Sequence, residues 1–217
     1  MSKYLQPQWH RSALVTIDVQ QDFSLPGAPV EIPGTMEVIP WIAGLLDVYR
    51  SAGYPIIHIV RLYVADGSNA DLCRRQQIED GAQIVCPDTA GSQLVEDLLP
   101  ESKISLDSAL LLQGGIQHIG PGEVAIYKPR WGAFFKTPLQ DYLGTLDVNT
   151  LIICGCNFPN CPRTTVYEAS ERDYRIVLAD DAVSGLDEQG RQQMQNIGVQ
   201  LLSTTDIMEV VKSQREK

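Results

Sequence analysis

Three side chains able to take part in covalent or proton-transfer chemistry stand at the ends of apolar runs: Asp18, Lys128 and Cys161. Cys161 follows the run Thr150–Gly155 (TLIICG) and a short turn, with Pro162 directly behind it and the helix-compatible stretch Arg163–Asp173 beyond. Proline suits the first position of a helix, because its missing N–H has no intrahelical acceptor there. Cys161 is therefore expected at the mouth of a helix, at the carboxyl end of a strand, where free N–H groups and the helix dipole favour a thiolate. The competing reading is an inert cysteine packed under a turn, and the local context leaves the two level. Asp18 closes the run SALVTID, and Lys128 precedes Pro129, which biases it to extended backbone and continues a strand. Taken singly, Asp18 reads as a turn aspartate and Lys128 as a solvated charge; on one sheet edge with a thiol they make a nucleophilic site. A cation between a thiol and a carboxylate is expected to keep both charged.

The elements that would carry these residues follow from hydrophobic period. Short apolar runs at Ser12–Asp18, Pro55–Val60, Val124–Tyr127, Leu151–Cys154, Arg175–Ala179 and Val199–Leu202 read as buried strands. Helical spacing predicts helices over Thr35–Ser51, Leu139–Leu146, Asp187–Ile197 and Thr205–Lys212, and Pro40 is tolerable only in a first turn. Arg61–Ile104 reads as loop with short helices, Leu106–Gly122 as helix or irregular chain, and DDAVSG after Ala179 as a turn. Strands alternating with helices imply an α/β fold, a parallel sheet covered on both faces. Residues 1–11 read as an N-terminal extension and 12–217 as one domain.

The 217 residues carry a net charge of −10, which disfavours nucleic acid as a partner. Five cysteines, an odd number, do not suggest a disulfide framework. No apolar run reaches transmembrane length and MSKYLQPQWH lacks a signal core, so a cytoplasmic protein with no membrane partner is expected.

The segments IDVQQDF, YKPRWGAF and GCNFPNCPRTTVYEASERDY, in this order, resemble the isochorismatase-like cysteine hydrolase superfamily, which includes nicotinamidases and N-carbamoylsarcosine amidohydrolases. The resemblance runs from about Ala13 to the last helix. It implies a three-layer α/β/α fold with a six-stranded parallel sheet, and a homo-oligomer, dimer or tetramer. It also implies a catalytic triad: Asp18 as proton carrier, Lys128 as its electrostatic partner and Cys161 as nucleophile. The oxyanion hole would be the N–H groups of Asn157 and Cys161, with a cis peptide between Cys156 and Asn157. The Asp-x-His…His metal motif of nicotinamidases is missing from HIVRLYVADGSNADLCRR, whose His58 lies inside a strand, so neither metal nor cofactor is expected.

The expected activity is metal-independent amidohydrolysis of a small amide, urea or carbamoyl substrate through a thioester. Vinyl-ether hydrolysis and a catalytically silent interaction domain are the alternatives. Phe23, Trp131 and Phe158 are candidate substrate walls, with core packing the equal alternative. Arg61 and Arg163 are candidate partners for a substrate carboxylate, with a structural ion pair as the competing role.

Overall fold

The computed structural model describes residues 2–214. Seven strands form one sheet: β1 (Ser12–Ile17), β2 (Ile56–Val60), β3 (Ile116–Gly120), β4 (Glu123–Tyr127), β5 (Thr150–Gly155), β6 (Arg175–Val183) and β7 (Gln200–Leu202). Their spatial order is β3-β4-β2-β1-β5-β6-β7, parallel except for β3, which pairs antiparallel with β4. The sheet therefore has one strand more than expected. The added β3 falls in the stretch read as helix or irregular, and the supposed turn after Ala179 continues β6 to Val183. The helices are α1 (Gln21–Ser24), α2 (Thr35–Ala52), α3 (Leu72–Glu79), α4 (Ser108–Leu112), α5 (Leu139–Thr145), α6 (Cys161–Ser170), α7 (Glu188–Asn196) and α8 (Thr204–Gln214).

Successive residues of a strand face opposite sides, and both sides are buried. Leu14, Ile56, Ile152 and Val177 point to a core shared with α2 and α8, through Ile42, Leu46, Ile207 and Val211. Val15, Ile57, Ile153 and Leu178 point to the opposite core, shared with α5, α6 and α7 through Leu143, Val166 and Met194. A smaller cluster of Phe23, Tyr63, Ile78, Ile84, Val85 and Cys156 lies under the loop between β2 and α3 and the segment after α3. Pro40 sits inside α2, beyond its first turn, and leaves the Met36 carbonyl without its intrahelical donor.

The first strand, β1, is flanked by β2 on one side and β5 on the other, so the chain order reverses there. In an open α/β sheet the crevice beyond the carboxyl ends at such a reversal is where ligands bind. The register aligns Ile17 with both Ile59 and Gly155, and Val60 with Tyr127, so the residues that follow these strands emerge on one edge. Gly155 permits the tight join at that edge. It has φ +115°, and a Cβ there would lie 2.3 Å from the Ile17 carbonyl oxygen.

His58, in β2, is a core residue: Nδ1 is 2.8 Å from the Thr16 hydroxyl and Nε2 2.8 Å from Glu123. Arg50 completes this buried cluster at 2.7 Å from Glu123. Burial opposes the Glu123 charge, but the Arg50 and His58 hydrogen bonds outweigh it and hold the carboxyl down at about 2.

Gly155→Ala is expected to lower stability by about 3 kcal/mol or more, from the strained φ and the collision with backbone. Urea unfolding midpoints of the two proteins measure it.

Candidate active site

Asp18 follows β1 with φ +53°, a conformation that few non-glycine residues adopt. It is pinned there because its N–H donates to the Ile59 carbonyl at 2.9 Å, while its own carbonyl lies 3.1 Å from the Cys156 thiol. Such strain costs on the order of 1–3 kcal/mol and persists where the surroundings over-determine it. Gln20, wholly buried, ties the neighbourhood together. Its amide donates to the carbonyls of Arg61 (2.8 Å) and Ser92 (2.6 Å) and accepts from the Arg61 N–H (2.7 Å).

Lys128 follows β4, two strands from β1, and its long side chain reaches back along the edge. The ammonium lies 2.8 Å from Asp18 Oδ2 and 3.3 Å from Cys161 Sγ, with the Arg130 carbonyl also at 3.3 Å. The Lys128 side chain is 1 % exposed and that of Asp18 6 %. Burial opposes the charge on Lys128, yet Asp18 and the adjacent thiol outweigh it, and its pKa is raised above the ordinary lysine value.

Cys161 opens α6, with Pro162 next in the first turn. The turn before it is held by bonds from the Cys156 N–H to the Ile17 carbonyl, the Phe158 N–H to the Ser184 carbonyl and the Asn160 N–H to the Asn157 carbonyl. Among the described residues the N–H groups of Asn157 and Cys161 have no protein acceptor. The peptide between Cys156 and Asn157, expected to be cis, is trans.

The expectation of a resting thiolate is also overturned. Burial pushes the Cys161 thiol up to about 12, the Asp18 charge adds to the rise, and Lys128 opposes it without prevailing. A helix mouth cannot compensate for desolvation beside a carboxylate. The resting site is thus an ion pair next to a neutral thiol. Asp18 Oδ1 has no hydrogen-bond partner among the described residues, although the carboxylate is near enough to attract the thiol proton.

These three residues line a cavity of about 290 Å³ together with Phe23, Arg61 and Trp131. Phe158 and Arg163 are elsewhere. Phe158 is 1 % exposed in the core under α7, so close to Gly190 that a Cβ there would meet its ring at 2.4 Å. The turn carries Phe158 inward because its N–H donates to the carbonyl of Ser184, just after β6. Arg163 stacks over Tyr167, one helical turn away on α6, at 5.8 Å from the ring centre. Arg61 lines the cavity but its guanidinium is engaged, with Asp71 at 2.8 Å, the Lys128 carbonyl at 2.6 Å and the Tyr63 ring below it.

The cavity also takes Ile32, Tyr63, Cys73, Arg74 and Asn160, none of them singled out from sequence. Four come from loops or the short α3, where no hydrophobic period marks orientation; Asn160 was visible only as the residue before the candidate nucleophile. Among the described residues no three metal-ligating side chains converge, and no helix is long and apolar enough to cross a membrane.

Fold and site define an α/β protein with a thiol, a carboxylate and an ammonium meeting at the crevice beside its first strand. The chain belongs to the isochorismatase family, whose domain model matches residues 12–106 and 116–206. It is 29% identical to a "probable inactive nicotinamidase" of Arabidopsis thaliana over 88% of this chain and 92% of that one. It is likewise 29% identical to a ureidoacrylate amidohydrolase of Methylobacterium radiotolerans, over 77% of this chain and 65% of that one. A crystal structure of an isochorismatase family protein from Desulfovibrio vulgaris superposes with TM-score 0.79 at 33% identity, covering 93% of this chain and 98% of that one.

Two outcomes follow from this geometry. Because Asp18 raises the thiol pKa, Asp18→Asn should shift the pH profile of Cys161 alkylation downward, whereas Lys128→Met should shift it upward; the rate of iodoacetamide labelling against pH reads both. Phe158→Ala should cost about 3–5 kcal/mol of stability, as expected for a buried ring, measured by denaturant unfolding.

Proposed function

We propose that the protein is a cysteine-dependent amidohydrolase of a small non-peptide substrate, acting without a metal. The observation that carries this reading is the contact of Lys128 with both Asp18 (2.8 Å) and Cys161 (3.3 Å) at the wall of the cavity. The amidohydrolase relatives support the same class of chemistry.

With the thiol neutral at rest, attack and deprotonation are concerted. Cys161 Sγ adds to the substrate carbonyl carbon as Asp18 takes the thiol proton, and Lys128 stabilises the negative charge in transit. The oxyanion that forms is within the reach expected of the free N–H groups of Asn157 and Cys161. Asp18 then gives the proton to the leaving nitrogen as the C–N bond breaks, leaving a thioester. Water attacks the thioester carbonyl with Asp18 accepting its proton. Collapse expels the sulfur, which recovers that proton, and the acid departs. Each proton moves through one carboxylate, which is why its free Oδ1 matters.

A small substrate fits the cavity volume, and Phe23, Tyr63 and Trp131 offer it aromatic walls. The expected homo-oligomer belongs to this proposal as the form in which the enzyme works. The second reading, a binding domain without turnover, is suggested by the name of the Arabidopsis relative.

Screening primary amides, ureas and carbamates by ammonia release, with mass spectrometry of the quenched protein, tests the proposal. Turnover and an acyl adduct on Cys161 are expected, both abolished in Cys161→Ala, with a loss of at least about 10³-fold. Undiminished turnover in that variant would remove the cysteine from the mechanism.

A further inference from the structure

The charges lining the cavity do not cancel. Lys128 is matched by Asp18 at 2.8 Å. Arg61 is matched by Asp71 at 2.8 Å, and it also donates to the carbonyls of Lys128 and Asn69. Arg74 is left: it lines the same cavity, is half-buried, and among the described residues its guanidinium has neither a hydrogen bond nor an ion pair with any protein group. A chain with net charge −10 thus places an unmatched cation in a pocket. Field lines concentrate in such a cleft and draw small anions into it.

The neighbours of Arg74 explain its freedom. Asp71 is engaged through Oδ2 by Arg61 (2.8 Å) and the Tyr63 hydroxyl (2.9 Å), and no ion pair joins it to Arg74. Arg75, the next residue on α3, turns instead to the Ala70 carbonyl. The ring of Tyr63, stacked against the Arg61 guanidinium at 4.5 Å, is fixed in place as a rigid side of the cavity. A planar guanidinium with free donors matches a carboxylate fork.

We propose that Arg74 is the specificity-determining residue of the site and that it selects substrates bearing a carboxylate, held at the opposite end from the scissile C–N group. This rests on the amidohydrolase reading for the chemistry, but not for the binding. The substrate class is therefore short amido or ureido acids, with the carbamoyl or amide carbon presented to Cys161 and the carboxylate to Arg74. Arg61 and Arg163, the candidates from sequence, are excluded from this role by their partner and their position.

Binding tests the inference separately from turnover. Calorimetric titration of the intact protein with succinate, maleate and glutarate, each beside its uncharged diamide, should show the anions binding at least about tenfold more tightly. In Arg74→Ala that preference should fall toward one, and in Arg74→Lys it should be partly kept. An unchanged melting temperature shows that the variants are folded. Kinetics supply the second arm: kcat/KM for succinamate over its methyl ester, and for N-carbamoylglycine over its methyl ester, should collapse in Arg74→Ala through KM. Equal binding of anion and diamide by wild type, or the same preference in wild type and Arg74→Ala, overturns the inference. If anions are preferred through Arg74 but no amide or ureide is cleaved, the binding inference stands and the amidohydrolase reading fails. If neutral amides are cleaved through Cys161 without preference for acids, the reverse holds.

Discussion

The Lys128–Asp18 ion pair imposes the constraint that the rest of the site is built to satisfy. Two charges almost wholly removed from water are costly to bury, and their attraction offsets that cost only with close geometry and further polar contacts. Here the pair joins strands that are not neighbours, with β2 between them, so each partner must be placed by its own backbone. Asp18 is held in a left-handed conformation by the Ile59 carbonyl, and the Lys128 carbonyl receives the Arg61 guanidinium. Gln20 locks the Arg61 backbone from both sides. Through these links the central strands, the β2–α3 loop and the ion pair form one hydrogen-bonded unit. Rigidity of this kind is what lets a carboxylate hand a proton to and from a neighbouring thiol without rearrangement.

Burial, together with the Asp18 half of this pair, sets the state of the nucleophile. A cation alone would favour thiolate, and so would a helix mouth. Adding the carboxylate and withdrawing the thiol from water reverses the outcome, so Cys161 waits as a neutral group. A buried neutral thiol is less exposed to adventitious oxidation than a thiolate, and it becomes nucleophilic only when a substrate carbonyl is at hand.

The strands carrying the site were legible because each is a continuous apolar run, the pattern of a strand buried on both faces. Asp18 and Lys128 were legible because they follow such runs directly, and Cys161 because Pro162 marks a helix start one turn beyond another. The strand β3 was not: IQHIG interrupts its two isoleucines with polar residues and ends in glycine, and it lies half-exposed at the sheet edge, where its hairpin with β4 breaks register. Phe158 was misplaced because a turn's sequence does not say which of its side chains points inward; the bond from its N–H to Ser184, 26 positions along the chain, settles that. Arg74 was invisible for a different reason. What distinguishes it from Arg61 is that Asp71 pairs with Arg61 and not with Arg74, a fact of three-dimensional pairing that no spacing encodes.

The N-terminal extension has a bearing on the edges of the sheet. Leu5 packs on Gly198 just before β7, and its carbonyl accepts from the Gln200 side chain at 3.3 Å, while Gln8 is tied to Asn149 and Thr150 beside β5. The exposed border at that end is a strand of only three residues with a peptide arm laid across it. At the other border, β3 breaks register between His118 and Gly120. Neither border presents a long, regular row of unpaired backbone groups, the template on which chains zip together into fibrils. Lateral growth of this sheet from one molecule into the next is thereby obstructed at both ends.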